Sequence, residues 1–270
     1  MSLLAVAKKD FQDAIRSRWL IALTVLFALI LSAIAYFVRP APGQAAPATA
    51  LLSPLDQFVV GTLVPLIALV VGYNAVCGER ESGSLKLLLS LPHSRADVVF
   101  GKVLGRAAAL STAVGVGLFV PAVVIAVGPF AFEPLVFLGY VLLVCLLATV
   151  FVAIAVGLSA FTGSRWVALG GAIGLYFLFI PLWNAVQMPL QFWFLGGGGQ
   201  WLPLTPEQVF QFLQVFRPNG AFNTLSQSYL AGEFLTGPQQ NLQISALAML
   251  VFWTLAPPLV GLLRFDRADL

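Results

Sequence analysis

The sequence predicts an all-α integral membrane protein with about six transmembrane helices. Hydrophobic residues make up 60% of its 270 residues and charged residues only 9%. A soluble domain normally carries about a quarter charged residues, and the mean hydropathy of this chain is +0.95. Most of its surface is therefore suited to a lipid bilayer rather than to water.

Six apolar segments reach the length of about 20 residues that a membrane span requires. They are Trp19–Val38, Gln57–Cys77, Ala107–Val127, Leu135–Phe161, Trp166–Gln187 and Leu242–Leu263. None contains Asp, Glu, Lys, Arg or His. Because lipid offers backbone groups no hydrogen-bond partners, each segment is expected to be a helix. The adjacent Pro257 and Pro258 predict that the last span is the least regular.

The distribution of basic residues predicts the orientation. Twelve of the 14 basic residues flank the spans on one side, and only Arg39 and Arg217 lie on the other. Loops rich in Lys and Arg stay in the cytoplasm, so both termini and residues 78–106 are expected to be cytoplasmic, in a plasma membrane protein. The net charge of +3 then reflects topology, and no basic surface supports nucleic-acid binding.

The chain is interpreted as one transmembrane permease domain, 1–270, with two segments outside the spans. Residues 1–17 predict an interfacial amphipathic helix with Leu4, Ala7, Phe11 and Ile15 on its apolar face; the alternative is a frayed, solvated tail. Residues 188–241 predict one large extracytoplasmic segment. Within that segment, a short helix is expected at Pro206–Phe216, with Thr205 as its N-cap.

Two pairs of glycines four residues apart permit close helix contact. They are Gly101 with Gly105 and Gly170 with Gly174. Packing within the chain is the expected role of both pairs, and a dimer interface is the alternative.

The residues that catalysis or ion-driven transport usually require are scarce. The single histidine, His93, rules out a two-histidine metal motif, and no span carries the ionisable groups of proton- or voltage-driven machines. The sequence also lacks the phosphate-binding G-x-x-x-x-G-K-[ST] loop. No catalytic residue, metal or cofactor is therefore expected in this chain. A sodium-coupled carrier that uses only carbonyls and hydroxyls stays possible.

The densest polar segment is 78–106, between the second and third spans. Residues 84–91 predict a short amphipathic helix. Gly83 allows a sharp turn before this helix, and Pro92 ends it. Glu79 and Glu81 lie where acidic groups complement the helix dipole. An ordinary interfacial connector remains the alternative interpretation.

This segment resembles the signature segment of ABC-2 type transporter permeases. It reads E-x-E-x-G-S-L-x-L-L-L-S-x-P from Glu79 to Pro92, followed by Ser94-Arg95 and Gly101-Lys102. The six spans, the interfacial N-terminal helix and the large segment before the last span extend the resemblance over essentially the whole chain. The subgroup stays open between permeases of nitrous-oxide-reductase maturation and those of sodium or drug export.

The resemblance implies a cytoplasmic coupling helix that docks on a separate ABC-type ATPase subunit, which would bind the ATP and Mg. It also implies a permease dimer that exports a small-molecule or lipid-like substrate. The residues that the resemblance assigns to the coupling segment are Glu79, Glu81, Gly83, Ser84, Leu85, Leu88, Pro92, Arg95 and Lys102. Two other functions remain possible: an ATP-independent carrier or channel, and a membrane scaffold for a partner complex.

Overall fold

The computed structural model describes residues 3–37, 46–47, 52–53, 55–56, 60–85, 94–127, 130–198 and 205–267. Its elements are, in chain order, α1 (Leu3–Ile15), α2 (Arg18–Phe37), β1 (Ala46–Pro47), α3 (Gly61–Gly72), α4 (Cys77–Glu81), α5 (Arg95–Val127), β2 (Phe130–Ala131), α6 (Pro134–Phe161), α7 (Arg165–Phe179), α8 (Trp183–Leu195), α9 (Pro206–Phe216), α10 (Pro218–Leu230) and α11 (Gln240–Asp266). The two strands pair in parallel over two residues each.

The predicted all-α membrane fold is confirmed. In the described residues, α5, α6, α11 and the stretch Gly61–Glu81 are each long and apolar enough to cross a membrane. Two bent helix pairs, α1 with α2 and α7 with α8, bring the number of candidate spans to as many as six if each pair is counted as one span. Helix α6 lies at the centre of the bundle, where it packs against α3, α5, α10 and α11, and its residues Val150 to Gly157 are all buried.

The fifth span is broken, whereas the prediction had been a single helix over Trp166–Gln187. Helix α7 ends at Phe179, and α8 leaves it at an angle of 48°. Pro181 lies in the break and has no N–H to donate to Phe177, whose carbonyl accepts instead from the Leu182 amide at 2.9 Å. Helix α8 then continues to Leu195, eight residues into the segment 188–241 that had been expected to be extracytoplasmic.

The last span is continuous, so the prediction that it would be the least regular was wrong. Helix α11 runs through Pro257 and Pro258 without a break. The prolines lie where α6 presents Gly157, and the backbones of the two helices are close enough to touch. Tight packing against a neighbouring helix can hold a proline-containing helix in a membrane bundle.

The predicted N-terminal helix is present as α1, but its buried face differs from the prediction. Its buried residues are Val6 and Asp10, whereas Leu4 is 69% exposed. The predicted glycine contact at Gly101 and Gly105 is confirmed, because both residues lie directly against α1. The face of α1 is thus chosen by its packing on α5, where Asp10 finds basic partners.

The predicted N-cap of α9 is also confirmed. The Thr205 hydroxyl accepts from the Gln208 amide at 3.3 Å, and the Gln208 side chain accepts from the Thr205 amide at 3.0 Å. This capping box satisfies two amides at the helix start that would otherwise lack partners.

Replacing Thr205 by alanine is expected to destabilise α9 locally by about 1 kcal/mol, since the cap hydroxyl is lost. Hydrogen exchange of the first-turn amides of α9 should accelerate accordingly. Thr112→Ala is the matched control, because the Thr112 hydroxyl only bonds back to Ala108 within a helix. Equal acceleration of exchange around both positions would contradict a specific capping role.

Candidate coupling site

The short helix α4 is oriented by a hydroxyl of the central helix α6. The amides of Val76 and Cys77 donate to the buried Ser159 hydroxyl at 2.9 and 3.1 Å. These amides begin α4 and have no partners within it. Ser159 therefore fixes the start of α4 against the C-terminal end of the central helix α6.

Charged side chains of α1, α4 and α5 form a cluster that we call the α1 charge cluster, made of Lys9, Asp10, Glu79, Lys102 and Arg106. The Lys102 ammonium lies 2.8 Å from the Glu79 carboxylate and 3.3 Å from the Asp10 carboxylate. Its side chain is only 2% exposed. Opposite charges at this separation in a desolvated site attract strongly, which offsets the cost of burying them.

Arg106 completes the cluster. Its Nε donates to Asp10 at 2.8 Å, and its terminal nitrogen donates to the Val71 carbonyl at the end of α3. Lys9 lies at the solvent-exposed rim, 3.7 Å from Glu79. Asp10 and Glu79 are thus balanced by Lys102 and Arg106, and the cluster joins α1, α3, α4 and α5.

The second carboxylate of α4 reaches a different helix. Glu81 accepts from the Arg165 amide at 2.8 Å and lies 3.4 Å from the Arg165 guanidinium. Arg165 begins α7, so this pair connects α4 to the fifth span. The Arg165 side chain is 55% exposed and the Glu81 side chain 34% exposed.

The residues that follow α4 form a turn. Gly83 has φ of +75°, a conformation that glycine adopts without strain, and the Ser84 hydroxyl points back to the Glu79 carbonyl at 3.4 Å. Leu85 is fully buried in the core of the chain, so it anchors the turn and cannot itself contact a docked protein. Leu88 and Pro92 lie outside the described residues.

The predicted residues therefore separate into two groups. Glu79 and Lys102 come together in the α1 charge cluster, whereas Arg95 lies apart, donating to the Phe265 carbonyl and covering the Phe265 ring at 4.9 Å. Sequence reasoning missed Asp10 and Arg165. The signal for Asp10 was its place in the helical repeat of Leu3, Val6, Ala7 and Ala14, a carboxylate on an otherwise apolar face.

Comparison with known proteins extends the likeness to nearly the whole chain. The family model described as ABC-2 family transporter protein matches residues 4–270. The "Probable ABC transporter permease protein NosY" of Pseudomonas aeruginosa is 39% identical over 199 residues, which cover 68% of this chain and 69% of that protein. The protein of the same name from Stutzerimonas stutzeri is 36% identical over 194 residues, with coverage of 68% and 69%.

Proposed function

This chain belongs to the ABC-2 family of transporter proteins, and we propose that it is the membrane subunit of an ATP-driven exporter. A separate ABC-type ATPase would dock on residues 78–106 and supply the energy. ATP and Mg would bind in that partner, and this chain would contribute no catalytic residue. The protein would lie in the plasma membrane, and the bias in basic residues supports placing both termini in the cytoplasm.

The observation that carries this proposal is the pair of carboxylates on α4. Glu79 pairs with Lys102 within the α1 charge cluster, and Glu81 pairs with Arg165 at the start of α7. A force applied to α4 by a partner would therefore reach α1, α5 and α7 through short polar contacts. Rigid transmission of this kind suits alternation between two states of a helix bundle.

The surface around α4 supports docking of a soluble partner. Glu81, Ser82 and Ser84 are exposed, whereas Lys102 and Leu85 are buried beneath them. The exposed residues offer polar contacts to a partner, and the buried ones hold the segment in place. This division refines the coupling role of the segment: Glu81 and Ser84 would contact the ATPase, and Glu79, Leu85 and Lys102 would transmit the movement.

A permease dimer is the second part of the proposal, and α7 supports it. Apart from the neighbouring backbone of α7 itself, no described atom lies within 4 Å of the position that a Cβ on Gly170 or Gly174 would occupy. Ile173 and Phe177 are about half exposed on the same helix. Small residues with exposed apolar neighbours permit close approach of a second helix in a membrane. The small-molecule or lipid-like substrate would pass along this interface.

Charge reversal at Glu81 tests the docking assignment. The tagged chain is purified in mild detergent from its native membrane, and co-purifying proteins are quantified. We expect a P-loop ATPase to co-purify with the wild-type chain and Glu81→Lys to retain at most about a tenth of it, a loss of about 1.4 kcal/mol in binding free energy. The mass of the wild-type complex also reports whether it contains two permease chains.

Glu207→Lys is the matched control, because Glu207 is an exposed glutamate in the first turn of α9, remote from α4 in the chain. It should retain the ATPase at the wild-type ratio. Unaltered co-purification with Glu81→Lys would overturn docking at α4. A wild-type chain that purifies alone in several mild detergents would instead favour the carrier or channel.

A further inference from the structure

A buried carboxylate lies before the second span, at the end opposite α4. Asp56 is fully buried, and its Oδ2 accepts from the Ser226 hydroxyl of α10 at 2.7 Å. No lysine or arginine in the described part of the chain forms an ion pair with it. An ionised carboxylate in such surroundings is strongly destabilising unless its charge is balanced.

Other buried polar atoms lie around Gly61, close to the Asp56 backbone. A Cβ built on Gly61 would lie 3.2 Å from the Asp56 carbonyl oxygen and 4.0 Å from the Asn223 Oδ1. Asn219 is held alongside, because its amide nitrogen donates to the Gly61 carbonyl. The side-chain oxygens of Asn219 and Asn223 and the Oδ1 of Asp56 are all buried and lack a hydrogen-bond partner among the described residues.

The Tyr140 hydroxyl of α6 faces this group. It interacts with the Asp56 carboxylate but lies outside hydrogen-bond geometry, and it too is buried without a partner. Buried polar atoms almost always have partners, and orphaned ones indicate a bound ion or water. Orphaned acceptors that include a carboxylate favour a cation.

We propose that Asp56, Tyr140, Asn219, Asn223 and Ser226 form a binding site for a monovalent alkali cation. One carboxylate balances one positive charge, and the amide and hydroxyl oxygens are ligands of the kind that hard cations prefer. The absence of a side chain on Gly61 keeps the backbone close to this group. This inference depends on the described cluster alone and not on the proposed ATPase partner.

The bound cation would connect the beginning of α3 to α6 and α10. Asp56 lies just before α3, which begins at Gly61, and Tyr140 lies in α6. The other three residues of the site lie in α10. Binding to the folded chain and not to the unfolded chain stabilises the fold in proportion to the logarithm of cation concentration. Thermal stability is therefore a direct readout of occupancy.

Protons compete for the same carboxylate. Burial raises the pKa of Asp56 to about 6, and the hydrogen bond from Ser226 opposes part of that rise. Because the pKa is higher in the folded chain than its ordinary value of 3.8, the stability that this shift contributes is lost as pH rises through about 6. A cation that replaces the proton should restore this stability above that pH.

The purified full-length chain is placed in lipid nanodiscs in choline chloride, and sodium or potassium chloride replaces choline at constant ionic strength. Near neutral pH we expect a saturable rise in Tm with sodium, potassium or both, and saturable binding of radioactive sodium or potassium. At about pH 5 the midpoint should increase, because a proton on the Asp56 carboxylate removes the negative charge that the cation would balance.

Asp56→Asn should abolish both the rise in Tm and the binding. Asn223→Ala, which keeps the charge, should raise the midpoint by about tenfold, the effect of one lost ligand worth about 1.4 kcal/mol. Glu207→Gln, a change at an exposed carboxylate, should behave as wild type. Equal Tm in all three salts with no radioactive binding to the wild-type chain would overturn the site. Stabilisation by acid alone would show a proton in place of the cation, and full binding by Asp56→Asn would place the cation elsewhere.

Discussion

Replacing Lys102 by methionine is expected to destabilise the chain by about 3 to 5 kcal/mol, because it leaves the buried Asp10 and the partly buried Glu79 without their shared partner. Lys102 is 2% exposed and lies within 3.3 Å of both Asp10 and Glu79. Asp10 would retain Arg106 at 2.8 Å, but among the described residues Glu79 would retain only Lys9 as an ion-pair partner, at 3.7 Å. Unfolding of the purified chain, followed by tryptophan fluorescence in denaturant, measures the loss.

Lys9→Met is the matched control, since it removes the same charge from the exposed rim of the same cluster. Lys9 is 57% exposed, and pairs of this kind contribute at most about 1 kcal/mol. Adding Glu79→Gln to Lys102→Met should recover part of the lost stability, because it removes the carboxylate left without its nearest partner. Equal effects of Lys9→Met and Lys102→Met would show that burial does not govern this cluster.

The same contacts constrain how coupling can be tested. Glu79 and Leu85 belong to the interior, so substitutions there change folding together with any effect on a partner. Substitution of Glu81 separates an effect on folding from an effect on a partner, because its carboxylate contacts Arg165 at the surface. Partner loss with normal unfolding for Glu81→Lys, beside weakened folding for Lys102→Met, would divide the segment into a docking part and a transmitting part.

The sequence was sufficient to predict the helical membrane fold, since apolar length and pattern directly reflect the need to bury backbone groups in lipid. The cap of α9 was also predictable, because Thr205, Pro206 and Gln208 act through neighbours in the chain. What could not be predicted depends on contacts between distant residues. The buried face of α1 is one example. Asp10 can be buried because it pairs with Lys102 and Arg106, which lie more than 90 residues later in the chain.

The behaviour of the prolines has the same explanation. Pro181 and the Pro257–Pro258 pair carry the same local signal, yet the chain breaks at the first and continues through the second. At the break, the Phe179 carbonyl accepts from Arg217. The burial of Asp56 could not be predicted for a related reason. Asp56 lies just outside an apolar segment, and hydropathy does not reveal that α6 and α10 enclose it.

The backbone contact between α6 and α11 predicts a second substitution with a large effect on stability. Gly157→Ala should destabilise the chain by about 1 to 3 kcal/mol, because overpacking at a tight contact forces helices apart. The new Cβ would lie 2.4 Å from the backbone carbon and oxygen of Pro257. Backbone atoms cannot swing aside as a side chain can. Gly261 makes the reciprocal contact, its Cβ position lying 2.3 Å from the Gly157 oxygen.

Gly115→Ala is the matched control and should change stability in the opposite direction. Gly115 lies inside α5, and apart from the neighbouring backbone of that helix no described atom is within 4 Å of its Cβ position. Alanine is favoured over glycine in a helix interior by up to about 1 kcal/mol, so this variant should equal or exceed the wild-type chain in stability. Stabilisation by Gly157→Ala would mean that α6 and α11 are not in backbone contact. Because α11 carries both prolines across that contact, the continuity of the last span would then need a different cause.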